Sequence, residues 1–424
     1  MKIVVYGGNK LHGEVEISGA KNSALPCLIA TLLTTKPCKL HNIPKLLDVD
    51  TTIQLLETMG KNVKILGHTV YITEDPASAK KKRILPFELM SKMRASILVM
   101  GPLLARYGEA IISYPGGCAI GLRPIDIHLS GFQHFGANID LSKGYIHAKC
   151  EKKKKEVHIV FRYPSVGATE NIMMYAALHP GTTIIENAAL EPEIVDLATL
   201  LNNMGAKIQN AGEKTITIEG VEELHGTEHT IIPDRIETGT FLIAALVTRS
   251  TEGVTLLHTN PSHLTTVIEK LRECGANIKV DNDKIFVSST EKLSPVDIET
   301  NPYPGFPTDL QAQWTVLMST IPGTSVIKET IFENRFLHIP ELLRMGMNIK
   351  VHNQTVIVHG VEKFSGATVV ATDLRASSAL ILAGLAVPNN GKTEILEIHH
   401  LDRGYERIER KLRKIGAKIY RRKD

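Results

Sequence analysis

One short phrase recurs along the chain: a glycine, a small or polar pair, then a strand-like alternation. It stands as MGKNVKI (59–65), FGANIDL (135–141), MGAKIQ (204–209), CGANIKV (274–280), MGMNIKV (345–351) and IGAKIY (415–420). Its glycines are Gly60, Gly136, Gly205, Gly275, Gly346 and Gly416, spaced by 69 to 76 residues. Six copies at so even an interval call for one structural unit built six times.

Each unit reads as helix, strand, helix, strand, strand. The first helix is apolar nearly all round, as in TGTFLIAALV and RASSALILAGLAV, and such a helix belongs inside a core. The second is amphipathic and ends at the repeat glycine, as in LTTVIEKLRECG, where Gly275 suits a left-handed cap. The following strands alternate, as in KTITIEG and QTVIVHG. The sequence therefore predicts an α/β fold with helices inside and sheets outside, three units to a domain. The sixth copy stops at GAKIYRRKD without a closing strand, while the N-terminal KIVVYGGNKLHGEVEISGAKN parallels TITIEGVEELHGTEHTIIPDR. Residues 1–20 are expected to close the unit begun near residue 373. One domain would then comprise 22–229 and the other 1–21 with 230–424, with a ligand cleft between them.

At 424 residues the chain exceeds a single ordinary core. A formal net charge of +4 and 22% charged residues give no general case for nucleic acid or membrane. The runs AKKKR (79–83) and EKKKKE (151–156) read as solvated loops. No apolar stretch approaches the ~20 residues a membrane helix requires, and no targeting segment is visible. Five cysteines, at 27, 38, 118, 150 and 274, show neither disulfide framework nor zinc spacing. A cytoplasmic protein with unpaired thiols, no metal and no cofactor is expected.

The repeat also locates chemistry. A polar cluster precedes each buried helix: Lys21-Asn22, Lys92-Met93-Arg94, Ser165-Val166-Gly167, Asp234-Arg235, Thr308-Asp309 and Asp373-Leu374-Arg375. Asp234 reads as an N-cap. Lys21, Arg94 and Arg375 do not, because the helix dipole disfavours a cation at that end; they fit an anionic ligand there. Arg123, Arg335 and Arg403 stand in loops able to join them. Between the clusters, 113-SYPGGCAIGLRPID-126 sets Cys118 among glycines, which reads either as a tight surface turn or as a lid with backbone freedom.

These motifs resemble the enolpyruvyl transferase family along nearly the whole chain. GAKN (19–22), MRAS (93–96), PGGCAIGLRPID (115–126), SVGAT (165–169), DRIETGTF (234–241), FPTDLQAQ (306–313), ENRF (333–336), TDLRAS (372–377) and DRGYERIE (402–409) follow one another in the family's order. The resemblance implies two inside-out α/β barrels of three units each. It implies two substrates, phosphoenolpyruvate and UDP-N-acetylglucosamine, and a monomer or weak oligomer. Lys21, Asn22, Arg123, Arg335, Arg375 and Arg403 would hold phosphoenolpyruvate. The nucleotide sugar would lie against Asn22, Arg94, Arg123, Pro124, Ile125, Asp126, Ile127, His128, Arg162, Ser165, Val166, Gly167, Thr308, Asp309 and Ile331. Catalysis would rest on Cys118, Asp309, Lys21 and Arg403. Arginine at 162, three residues before the serine, departs from a lysine two before it in some members.

The implied chemistry is addition followed by elimination. Asp309 would assist loss of the sugar 3-hydroxyl proton, Cys118 would protonate the phosphoenolpyruvate methylene, and phosphate would leave. Bound anionic substrate is expected to raise the Cys118 pKa and keep its proton in place. Two rival readings stay open: the related transferase acting on shikimate 3-phosphate, against which the GGCAIGLRPID loop argues, and an idle scaffold that binds nucleotide or RNA.

Overall fold

The computed structural model describes residues 1–74, 84–116, 120–121, 124–151 and 155–423. The chain folds into two compact units, one of Gly19–Cys118 and Arg123–Ile232, the other of Met1–Ser18 and Pro233–Asp424 with the short stretch at 119–122.

Among the described residues, six four-stranded sheets carry one topology. In the sheet ordered Glu156–Val160, Thr182–Glu186, Thr215–Glu219, Lys207–Gln209, the first pair is parallel and the others antiparallel. The remaining five repeat that pattern. Six central helices each lead into the inner strand of one parallel pair. These are α1 (Lys21–Ala30), α2 (Met100–Tyr107), α3 (Val166–Ala176), α4 (Arg235–Val247), α5 (Gln311–Ser319) and α6 (Leu374–Ala386).

The apolar sequence of these helices dictates where they go. Every residue of α4 after Arg235 is buried, and so is every residue of α6 before Ala386. A helix with no polar face must be enclosed on all sides, and in the second unit α4, α5 and α6 pack on one another. Each unit has one continuous aliphatic core. The second helix of each repeat is half in that core: Val267, Ile268 and Leu271 of Thr265–Glu273 are buried while Lys270 and Arg272 face out.

Two expected helices begin differently. In ASILVMGPLLA the segment Arg94–Val99 is a 3-10 helix, and α2 starts only at Met100. That start puts Pro102 in the first turn, where its missing N–H leaves no bond unmade. Thr308–Leu310 likewise winds as a 3-10 turn before α5. All six repeat glycines adopt positive φ, between +89° and +101°, which side chains resist and glycine does not.

The N-terminal strand Lys2–Tyr6 fills the place left in the last repeat, between Lys392–Leu396 and Lys418–Arg422 and antiparallel to both. The next strand does not stay in that sheet, as a simple closure by residues 1–20 would require. His12–Glu16 pairs in parallel with Gly253–Leu257, while Glu228–Thr230 pairs with Cys38–His41. Two sheets thus take their edge strand from a distant part of the chain. At the crossings Asp234 N–H donates to Ser18 O (2.9 Å) and Ala20 N–H to Ile232 O (2.8 Å).

Candidate active site

In the second unit three residues from two successive repeats form an ion triad. Asp309 lies in the 3-10 turn before α5, Arg375 in the first turn of α6, and Arg335 in the ENRF loop. Arg335 Nη2 donates to Asp309 Oδ1 at 2.5 Å and Arg375 Nη2 to Oδ2 at 3.1 Å. The arginine side chains are 5% and 6% exposed and the carboxylate 26%. Burial alone would raise the Asp309 pKa, but the charges of Arg375 and Arg335 and their hydrogen bonds outweigh it and hold the carboxyl far below the usual range. Burial would lower the Arg375 pKa, and the same pairing overrides it and raises it.

The surroundings fix this triad. Asp373 caps α6, accepting from the N–H groups of Arg375 (2.8 Å) and Ala376 (3.0 Å). Arg375 lies over the ring of Tyr405 and Arg335 over that of Phe332, each 5.5 Å from the centroid. Arg375 Nε is buried with no hydrogen-bond partner among the described residues. His338, behind Arg335, is 1% exposed. Burial, reinforced by Arg335 and only partly offset by Asp373, lowers its pKa to about 4, so the ring is neutral. Glu329, fully buried, accepts from Thr308 Oγ1 (2.9 Å) and from the backbone N–H groups of Ile331 (2.9 Å) and Phe332 (3.2 Å). One carboxylate therefore sets two of the expected nucleotide-sugar contacts, Thr308 and Ile331. Arg403 ends the 3-10 turn Leu401–Arg403, which follows the adjoining, mutually tilted rings of His399 and His400, 4.0 Å apart. Burial lowers the His400 pKa, and the charges of His399 and Arg403 add to it.

In the first unit Lys21 opens α1, and its ammonium meets Asp48 Oδ2 at 2.9 Å, both side chains largely buried. Asn22 follows, half-buried. Ser165 caps α3, its hydroxyl accepting from Ala168 N–H (3.3 Å), so Val166 and Gly167 begin the helix. Asn171 of α3 ties this region together. Its amide donates to Ile97 O (3.0 Å) and lies 3.1 Å from His128 Nδ1, and its Oδ1 accepts from Gly101 N–H (2.7 Å). A Cβ on Gly167 would come within 3.3 Å of the His128 ring. Pro124 is exposed and Ile125 buried, and Asp126 and Ile127 begin the helix Asp126–His134. Arg162 and Asp126 form an ion pair, while Asp126 Oδ1 is buried with no partner among the described residues. Arg94 starts the 3-10 helix ahead of α2. Cys118 and Arg123 lie outside the described residues. Of their neighbours, Ile120 groups with the second unit, its carbonyl accepting from Asn334 N–H at 3.0 Å.

The helix-start cations are thus not bare: Lys21 faces Asp48 and Arg375 faces Asp309. Sequence reasoning found the cations and missed the partners Asp48, Glu329, His338 and Asn171. Nothing in their local spacing marks them. Asp48 meets Lys21 across 27 residues of chain, Glu329 meets Thr308 across 21 and Asn171 meets Ile97 across 74. His338 is set apart by its burial alone. Sequence reasoning also missed a buried trio in the first unit, Cys27, Asp196 and His229, whose donor atoms lie within 4.8 Å of one another. Asp196 is engaged by His229 Nε2 (2.9 Å) and by Ser23 Oγ. Burial and the Asp196 charge push the Cys27 thiol well up, so it stays protonated, and through Ser23 and Asp196 the group ties α1 to His229 as a hydrogen-bonded strut.

Six sheets of one topology on enclosed helices, with arginines gathered on a carboxylate, define the class: a repeat-built α/β enzyme for anionic substrates. The family model for EPSP synthase (3-phosphoshikimate 1-carboxyvinyltransferase) matches residues 5–412. The chain is 52% identical over 418 residues to UDP-N-acetylglucosamine 1-carboxyvinyltransferase of Endomicrobium trichonymphae, covering 99% of this chain and 98% of that one. To the Serratia proteamaculans enzyme of the same name it is 52% identical over 421 residues, 99% of each. The solved enolpyruvyl transferase NikO of Streptomyces tendae superposes with a TM-score of 0.88 at 28% identity, covering 99% of this chain and 98% of that one. EPSP synthase of Acinetobacter baumannii, at 17% identity and TM-score 0.75 over 99% of each chain, shares the fold. The chain belongs to the enolpyruvyl transferase family, on its UDP-N-acetylglucosamine 1-carboxyvinyltransferase branch.

Proposed function

We propose that this chain transfers the enolpyruvyl group of phosphoenolpyruvate to the 3-hydroxyl of UDP-N-acetylglucosamine and releases phosphate, the first committed step of peptidoglycan precursor synthesis. The observation that carries the reading is the convergence of Arg335 and Arg375 on Asp309. It joins cations suited to a phosphate and a carboxylate with a carboxylate suited to a hydroxyl proton. The 52% identity to enzymes of that name supports the same substrates.

Asp309 clamped by two guanidinium groups is too weak a base to take a proton. An incoming phosphate and carboxylate compete for those same guanidiniums. As they turn to the ligand, the Asp309 pKa rises toward the ordinary range and the carboxylate becomes able to receive the hydroxyl proton. The 3-oxygen attacks C2 of phosphoenolpyruvate, its proton passing to Asp309, while Cys118 donates a proton to the methylene carbon, giving a tetrahedral intermediate that still carries the phosphate. Removal of a methyl proton then expels phosphate and leaves the enol ether. Lys21, Asn22, Arg123 and Arg403 complete the phosphoenolpyruvate contacts. Arg94, residues 124–128, Arg162, residues 165–167, Thr308 and Ile331 complete those to the nucleotide sugar. No helix among the described residues is long and apolar enough to cross a membrane, and we place the enzyme in the cytoplasm, as a monomer or weak oligomer.

The test is phosphate release from phosphoenolpyruvate. Release that requires UDP-N-acetylglucosamine and is lost in Cys118→Ala supports the reading. Release that requires shikimate 3-phosphate instead would assign the chain to the sister branch.

A further inference from the structure

The last helix and strand of the chain carry a feature that the transferase reaction does not use. Ile408–Lys414 and Lys418–Arg422, with Arg407 before them, line an open surface cavity of about 310 Å³ in the second unit. Five arginines line it, at 407, 410, 413, 421 and 422, against one carboxylate, Glu409. That carboxylate is already committed, 3.3 Å from Arg421 and 3.7 Å from Arg407. Arg421 is held rigidly, its two Nη atoms on the Asp402 carboxylate at 2.7 and 2.6 Å. Its Nε is buried without a hydrogen-bond partner among the described residues.

Arg410, Arg413 and Arg422 have no carboxylate partner among the described residues. Arg413 and Arg422 instead both lie over the Tyr420 ring, 5.7 and 5.4 Å from its centroid. Basic residues in the last helical turn complement the helix dipole, which accounts for Arg413. It does not account for Arg410 and Arg422 converging on the same space. Like charges gathered around a concavity repel one another unless an anion joins them, and the planar guanidinium fork matches phosphate oxygens in pairs.

We propose that this cavity is a second anion site, distinct from the Asp309 site, which takes a phosphate-bearing small molecule with at least two negative charges. Its volume suits a diphosphate or a phosphorylated metabolite.

The probe is labelled inorganic pyrophosphate, in equilibrium dialysis against the full chain at low salt. The wild type is expected to bind one equivalent that Arg410→Ala/Arg422→Ala loses, with affinity down at least tenfold. The double variant keeps its melting temperature and its substrate-dependent phosphate release. Arg410→Lys/Arg422→Lys keeps the charge but not the fork and should weaken binding severalfold. Lys414→Ala/Lys418→Ala removes the same charge from neighbouring positions and should bind as the wild type does. Equal weakening in that control would reduce the effect to a diffuse positive field and overturn the proposal, as would full binding by the arginine double variant. Phosphatidylglycerol vesicles form a second arm. Sedimentation with vesicles in the absence of pyrophosphate binding would assign the arginines to a lipid surface and overturn a small-ligand pocket.

Discussion

At the scale of single residues, the site is governed by charges that neutralise one another before any substrate arrives. Asp309→Ala leaves Arg335 and Arg375 facing each other unpaired, and should cost about 2–3 kcal/mol in denaturant unfolding, below the usual loss for a fully buried pair because the carboxylate is a quarter exposed. Turnover should fall far more steeply than stability. Two acid transitions should be separable. His338 has a folded pKa of about 4 against about 6.5 unfolded. As pH falls below 6.5 the unfolded chain takes a proton that the folded one refuses, so stability drops until about pH 4, by at most about 3 kcal/mol. The Asp309 pair contributes its stability above the ordinary carboxylate pKa and loses it only at more acid pH. Thermal melts of His338→Gln between pH 4 and 7 should show a flatter profile than the wild type; an unchanged slope would remove His338 from the account. Such couplings were not legible in the sequence. Lys21, Asp309, Arg335 and Arg375 stood out because they fall at repeat boundaries or in long motifs. Asp48, Glu329 and His338 did not, because what distinguishes them is burial beside a partner that no local pattern names.

At the scale of elements, one backbone requirement recurs in every repeat. Each phrase glycine sits at φ near +90° to +100° after its amphipathic helix, and that is why the phrase survives while the residues around it vary. Gly346 isolates the effect, since a Cβ there would meet nothing closer than 3.8 Å. Gly346→Ala should therefore cost about 1–2 kcal/mol through conformation alone, read as a shift in urea midpoint with an unchanged m-value. Helix starts were the less legible elements. The 3-10 winding of Arg94–Val99 and Thr308–Leu310 follows from local geometry around Pro102 and the polar turn ahead of α5, which periodicity does not register. Strand partners across the chain were half legible: the likeness of KIVVYG to TITIEG pointed to the last sheet, but no pattern in HGEVE marked Gly253–Leu257 as its neighbour. Deleting residues 1–8 removes a strand bonded on both sides. It should unfold the sheet it belongs to, seen as hydrogen-exchange protection lost at Lys392–Leu396 and Lys418–Arg422 and kept at Thr182–Glu186.

At the scale of the whole molecule, repetition made the architecture readable from one sequence. An interval near seventy residues, wholly apolar helices and alternating strands together leave few alternatives to sheets wrapped on enclosed helices. The chemistry was readable for a different reason, namely that long ordered motifs are far more specific than any single residue in them. The pairing of Lys2 with Arg422 across adjacent strands has a consequence for the chain as a line with two ends. Antiparallel neighbours at that register lie within a strand spacing of each other, about 5 Å. A short linker can therefore join the ends, and new ends can be cut between Ser18 and Gly19. In the resulting circular permutant each of the two units is one stretch of sequence, apart from the excursion at 119–122.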